Sequence, residues 1–151
     1  MRIAFYKYHT PGVMGLFARF TRFITGGPYS HCELIFSDGQ AFSASIQDGG
    51  TRYKRIDFDP AKWDIMEIAS QQSRARAFCD EEKGCKYDFI GICRFIFPWA
   101  KESKTRWFCS EVCTAALQKA GVITAVIPAS IVHPMLLYWL LIVYGARRVH
   151  V

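Results

Sequence analysis

The chain has 151 residues, of which about half are hydrophobic, so it is long enough for one domain with a core of normal size. Nineteen Lys and Arg against 13 Asp and Glu give a formal net charge of +6, which favours an anionic partner such as cell wall, a lipid surface or nucleic acid. The basic residues are scattered without a continuous tract, and no apolar run reaches the ~20 residues of a membrane span, so neither nucleic-acid binding nor a transmembrane segment is expected.

The first residues, MRIAFYKY, lack the long apolar stretch and the small-residue cleavage site of a secretory signal, so we expect synthesis in the cytoplasm, with any delivery to the cell envelope as a separate step. The six cysteines are predicted to be reduced thiols, because a chain of this size does not need disulfides to hold its core. Cys79, Cys85 and Cys93 do not form the Cys-x-x-Cys pairs of a structural zinc site, and no metal or other cofactor is expected.

The pattern of apolar residues predicts strands and helices without internal repeats or linkers, and therefore a single domain over 1–151. The predicted strands are residues 3–8, the two arms of a hairpin within 31–46, residues 51–58 and residues 61–68. The predicted helices are residues 15–25, 70–83 and 109–120, with a helical or irregular segment at 87–99 and a buried helix or strand at 135–143.

The predicted hairpin has one apolar and one polar face. In its first arm, HCELIF at residues 31–36, His31 and Glu33 lie on one face and apolar side chains on the other. The second arm carries Ser43 and Ser45, which join the polar face only if the loop has three residues and ends with a left-handed Gly39. We predict this register, in which Glu33 faces Ser43 and His31 faces Ser45. Hydroxyls and a carboxylate on this face could hold an imidazole in one tautomer, but the same sequence pattern is also compatible with a surface histidine on a half-exposed sheet.

The start of the helix predicted at 109–120 is a second candidate site. A thiol at a helix N-terminus lies next to the positive end of the helix dipole, which favours the thiolate and lowers the pKa. Cys109 holds that place, whereas Cys113 lies one turn further in and is expected to pack in the core. A thiolate with a nearby imidazole, which acts first as base and then as acid, is the minimal apparatus for acyl transfer.

The order of these segments resembles the circularly permuted branch of the NlpC-type papain-like hydrolases, which includes YiiX/YebB-like proteins and the lecithin:retinol acyltransferase group. The resemblance covers about residues 25–135 and depends on the motifs HCELIFSDGQAFS at 31–43, GCKYD at 84–88, FCSE at 108–111 and IPASI at 127–131. It implies an α+β, papain-like fold in which an antiparallel sheet packs against the helix that bears the cysteine.

The resemblance implies that Cys109 is the nucleophile, that its amide lies in the oxyanion hole, and that His31 is the general base. The third polar position, usually His, Glu, Asn or Gln, is held by Ser43, and a hydroxyl cannot stabilise an imidazolium as a carboxylate does. Glu33 is the alternative third residue. We assign the lining of the substrate cleft to Tyr87, Tyr29, Ser45 and Glu111, although a buried structural role for Tyr87 is equally compatible with the sequence.

The expected activity is hydrolysis or transfer at an amide, ester or thioester through a thioacyl-enzyme, with cell-wall peptide amides ahead of lipid acyl groups as substrates. One alternative is a lipid acyl hydrolase or acyltransferase of the same fold, for which Phe17, Phe20, Phe23 and the apolar run 135–143 could form an acyl site or a membrane-facing patch; burial of these aromatic residues would remove that support. The other is a catalytically inactive basic binding module, which predicts that Cys109 and His31 lie apart.

Overall fold

The computed structural model describes residues 1–9, 11–89 and 105–149, and within these ranges the chain forms an α+β structure with a mixed eight-stranded sheet and four α-helices. The strands are β1 (Arg2–Tyr6), β2 (His31–Ile35), β3 (Ala41–Ser45), β4 (Gly50–Lys54), β5 (Trp63–Glu67), β6 (Lys86–Tyr87), β7 (Arg106–Trp107) and β8 (Arg147–Val149). The helices are α1 (Gly12–Thr25), α2 (Gln72–Glu81), α3 (Cys109–Lys119) and α4 (Pro134–Val143), with a short 3-10 helix at Ala129–Ile131.

The order of strands in the sheet is β7-β6-β4-β3-β2-β1-β5-β8. Neighbouring strands are antiparallel except for β6 and β7, which run parallel. The strand that begins with His31 is therefore in the interior of the sheet, paired with β1 on one side and β3 on the other.

The predicted register of the hairpin is confirmed. Leu34 pairs with Phe42, and the amide of Phe36 donates a hydrogen bond to the carbonyl of Gln40 at 2.9 Å. Gly39 closes the three-residue loop with φ of +78°, in the left-handed region where a side chain would be strained. Because the period of a strand is two residues, this loop length aligns the polar side chains of both arms on one face.

The main core lies between the other face of the hairpin and α3. Residues from both elements are fully or almost fully buried there: Cys32, Leu34, Phe36, Phe42 and Ala44 from the hairpin, and Val112, Cys113, Ala116 and Leu117 from the helix. The prediction that Cys113 packs in the core is confirmed. Since α3 lies across β2 and β3, its first residue comes close to the start of β2.

Other sequence predictions differ from the structure in detail. Tyr87 belongs to the short strand β6, since its amide donates to the carbonyl of Gly49. The segment predicted at 87–99 is described only up to residue 89, so most of it, including Cys93, lies outside the described residues. β8 was not predicted. The run 135–143, predicted as a buried helix or strand, is helical, and only its inner side, with Leu137 and Leu141, is buried. No helix among the described residues has both the length and the apolar character required to cross a membrane.

Candidate active site

The fold brings Cys109 and His31 together. Cys109 is the first residue of α3 and His31 the first residue of β2, and their side chains are in hydrogen-bonding contact. The thiol is fully buried, while about a quarter of the histidine side chain is exposed. The two residues that the sequence singled out on separate segments thus form one pair, as the resemblance implied.

Glu33 holds the other side of the imidazole. Nε2 of His31 donates a hydrogen bond to Oε1 of Glu33 at 2.8 Å, which is possible because two residues along one strand put both side chains on the same face. An ionised carboxylate is only an acceptor, so Nε2 carries a proton and Nδ1 is the nitrogen left for the Cys109 thiol. Cys109, His31 and Glu33 are therefore connected in series.

Arg52 fixes and neutralises the buried carboxylate of Glu33. Its Nη1 donates to Oε2 at 2.8 Å and its Nη2 to Oε1 at 2.7 Å, a bidentate pair, and its Nε binds Asp48 at 2.7 Å. Burial alone would raise the pKa of Glu33, but hydrogen bonds from His31 and Arg52 hold that pKa below its usual range. Glu33, only 1% exposed, therefore stays ionised beside the imidazole.

Arg52 is a site residue that sequence reasoning missed, because it was taken for a partly exposed surface cation. β4 pairs with β3 so that Arg52 lies opposite Ser43, and the hairpin register places Ser43 opposite Glu33. A row of three residues thus crosses three strands on one face. A prediction of the register between β3 and β4 could have identified Arg52, because that register places its guanidinium in the same row as the carboxylate of Glu33.

Ser43 does not serve as the third polar residue. Its Oγ is buried and has no hydrogen-bond partner among the described residues, and Arg52 donates to the backbone carbonyl of Ser43, at 3.4 Å, and not to this hydroxyl. The position that the resemblance assigned to the orienting residue is therefore held by a side chain that makes no hydrogen bond to the His31 imidazole among the described residues. The orienting contact comes from Glu33, on the same strand as the histidine.

Cys32 is a second contact that sequence reasoning missed, having been assigned only to the core. Burial alone would raise the pKa of the Cys109 thiol, but hydrogen bonds from Cys32 and the charge of the His31 imidazolium lower it to about 5. Burial alone would lower the pKa of His31, but the Cys109 thiolate and Glu33 raise it to about 10. Near neutral pH the pair is therefore a thiolate and an imidazolium.

A cavity of about 350 Å³ is lined by His31 and Glu33, whereas the fully buried Cys109 is not among its lining residues. Strands contribute its polar wall, with His31, Glu33 and Arg52, while Phe17 and Thr21 of α1 contribute to its apolar wall. Its remaining lining includes Ser45, Trp63, Tyr87 and Phe108. The cavity offers room for the carbonyl group and one substituent of a substrate next to the histidine.

Two of the four residues assigned to the cleft lining are found there, Ser45 and Tyr87. Tyr29 is not: it is buried in the core, where its hydroxyl donates to Asp64 at 2.7 Å. Glu111 is not either, since it is buried and its Oε2 accepts the amide of Phe108 at 3.0 Å, which caps α3. The structure thus places neither side chain at the cavity, because a polar residue next to a motif can face the core when a hydrogen bond satisfies it there.

Comparison of the chain with protein-family models, with the curated proteins and with the solved structures finds no match.

Proposed function

We propose that the chain is a papain-like cysteine hydrolase that cleaves an amide, ester or thioester through a thioacyl-enzyme, with Cys109 as nucleophile and His31 as base and acid. The observation that carries the proposal is the series Cys109–His31–Glu33, of which His31 and Glu33 line a cavity. The resemblance to permuted NlpC-type hydrolases supports it through the same two residues, although the chain departs from that pattern at Ser43.

The chemistry follows from the charges of the pair. The Cys109 thiolate attacks the substrate carbonyl carbon, and the carbonyl π electrons move to oxygen, next to the amide of Cys109 at the start of α3, where amides have no acceptor within the helix. The His31 imidazolium then gives its proton to the leaving nitrogen, oxygen or sulfur, and the bond to the leaving group breaks. Water, deprotonated by His31, attacks the thioester, which releases the acid and restores the thiolate.

A binding module explains the same residues less well. That alternative predicts that Cys109 and His31 lie apart, whereas they are in contact. A buried thiolate beside an imidazolium is costly to maintain without a use for it, and perturbed pKa values of this kind cluster at functional sites. The paired charges therefore favour an enzyme.

The lipid acyl alternative is favoured by one observation. Exposed aromatic residues on the first helix support it, and Phe20 and Phe23 are exposed, as are Trp139 and Val143 of α4. Phe17 is partly buried and lines the cavity instead. A lipid acyl group is therefore a second candidate substrate besides the cell-wall peptide amide, and both would react through the same thioacyl step.

The test is site-selective alkylation with iodoacetamide, followed for each cysteine by mass spectrometry between pH 4 and pH 10. We expect the labelling of Cys109 to titrate near pH 5, far below the value of about 8.5 for an ordinary thiol. In His31→Ala the midpoint moves up towards that value, while in the matched variant His9→Ala, on the surface, it stays in place. A midpoint near 8.5 in the unsubstituted chain, or one that His31→Ala does not move, would contradict the proposal.

A further inference from the structure

Two helices expose large apolar side chains along one stripe each. On α1 the stripe consists of Leu16, Phe20 and Phe23, spaced as i, i+4 and i+7, and Phe23 is 87% exposed. On α4 it consists of Trp139, Ile142 and Val143, with Val143 79% exposed. Such stripes are normally covered, by a core or by a partner.

The two helices are neighbours. Gly27, just after α1, lies so close to α4 that a Cβ added there would be 2.5 Å from Cγ of Met135. The two helices also contact each other directly. The two stripes therefore belong to adjacent helices of one part of the molecule, which we call the apolar helix pair (α1 and α4).

Charge is distributed unevenly around this pair. All 13 acidic residues lie between positions 33 and 111, so the segments 1–32 and 112–151, which contain both helices, hold no acidic residue. These segments hold seven basic residues, Arg2, Lys7, Arg19, Arg22, Lys119, Arg147 and Arg148, of which Lys7 and Arg148 are paired with Asp64. Arg19 is exposed and lies on α1 between Leu16 and Phe23. The two helices themselves thus contain basic residues, Arg19 and Arg22, and no acidic residue, which suits an anionic partner and not a second copy with the same positive charge.

We infer that the apolar helix pair is the surface by which this chain docks on an anionic lipid bilayer. Exposed Phe and Trp side chains enter the boundary between head groups and acyl chains, and adjacent Arg and Lys bind the anionic head groups. Tryptophan is typical of this boundary because one end of its ring is apolar and the other donates a hydrogen bond.

The inner side of α1 links this surface to the cavity. Phe17 and Thr21, on a different side of the helix from the exposed stripe, line the cavity that holds His31. Docking through Phe20 and Phe23 therefore brings the wall of the cavity to the lipid surface. The docking itself does not depend on the proposed chemistry, because neither Cys109 nor His31 is part of the stripes.

The experiment is co-sedimentation of the full chain with vesicles of phosphatidylcholine and phosphatidylserine in equal parts, and with vesicles of phosphatidylcholine alone. We expect tighter binding to the anionic vesicles, weakened by salt. Phe20→Ser/Phe23→Ser is expected to lower the affinity by on the order of tenfold or more, because apolar area leaves the membrane. The matched control is Val126→Ser, which removes an equally exposed apolar side chain outside the pair and is expected to bind normally.

Absence of binding to anionic vesicles overturns the inference, and so does equal binding by Phe20→Ser/Phe23→Ser, which would indicate attraction by charge alone. Concentration-dependent dimers that Phe23→Ser disrupts, without vesicle binding, would assign the stripes to a second copy and also overturn it. Cys109→Ala is expected to bind vesicles like the unsubstituted chain, so a failure here and a failure of the alkylation test are separate results.

Discussion

Glu33 lies two positions after His31 on the same strand, so the carboxylate that orients the imidazole comes from the histidine's own strand and not from the next one. The next strand offers Ser43, whose hydroxyl makes no such contact among the described residues. Arg52 completes the arrangement from the third strand, by holding both oxygens of Glu33. The orienting role thus rests on a buried ion pair, which a single substitution can disturb strongly.

Glu33→Gln is expected to raise the midpoint of Cys109 alkylation by about 1–3 pH units, because the imidazolium loses the carboxylate that stabilises it. The measurement is the same labelling profile by mass spectrometry. Ser43→Ala is the matched control on the same face, and we expect its midpoint to equal that of the unsubstituted chain. If Ser43→Ala moves the midpoint and Glu33→Gln does not, the orienting residue is the serine. Circular dichroism of Glu33→Gln checks that the chain remains folded with Arg52 partly unpaired.

At the scale of elements, α3 positions Cys109, the proposed nucleophile, through the way the helix begins. The helix starts at Cys109 because Glu111 accepts the amide of Phe108, which satisfies one of the donors left over at a helix N-terminus. Gly121, with φ of +72°, lies just beyond its other end. The sulfur is thus held at the positive end of the dipole, against the first residue of β2.

Glu111→Ala tests whether Glu111 caps α3. The loss of the cap is expected to lower the free energy of unfolding by about 0.5–2 kcal/mol, measured by urea denaturation. Glu81→Ala removes an exposed glutamate from another helix, and we expect a change within about 0.5 kcal/mol. Unchanged stability in Glu111→Ala would show that α3 does not depend on this cap.

At the scale of the whole molecule, the thiolate–imidazolium pair ties stability to pH. The folded pKa of Cys109, about 5, is below its unfolded value of about 8.5, so this contribution is present above 8.5 and is lost as the pH falls towards 5. The folded pKa of His31, about 10, is above its unfolded value of about 6.5, so this contribution is present below 6.5 and is lost as the pH rises towards 10. Between about 6.5 and 8.5 the two changes cancel, because folding only moves a proton from sulfur to nitrogen.

We therefore expect a plateau of stability from about pH 6.5 to pH 8.5, with losses on both sides of up to about 1.4 kcal/mol per pH unit from this pair. Urea denaturation across pH 5–10 measures it. In Cys109→Ser, which keeps the shape of the side chain without its titration, the slope between pH 5 and pH 6.5 is expected to decrease. An unchanged slope in Cys109→Ser would mean that the thiol is not ionised in the folded chain.

The sequence by itself determined the features that depend on local pattern. The period of two residues and Gly39 set the register of the hairpin, and the composition after Trp107 placed the start of a helix at Cys109. Both follow from backbone geometry, which neighbouring residues dictate. The same local rules identified Cys109 and His31 as the candidates for chemistry.

Only the tertiary structure decided which distant side chains meet. Three contacts depend on how three strands and α3 pack: that of His31 with Glu33 and not Ser43, the bidentate contact from Arg52, and the hydrogen bond from Cys32. No local periodicity contains that information. The exposure of Phe23 and Trp139 is of the same kind, since an apolar stripe is identical in sequence whether a core covers it or not. Burial depends on what the rest of the chain places against a residue, and this is the physical reason why the site and its surface emerged only from the folded molecule.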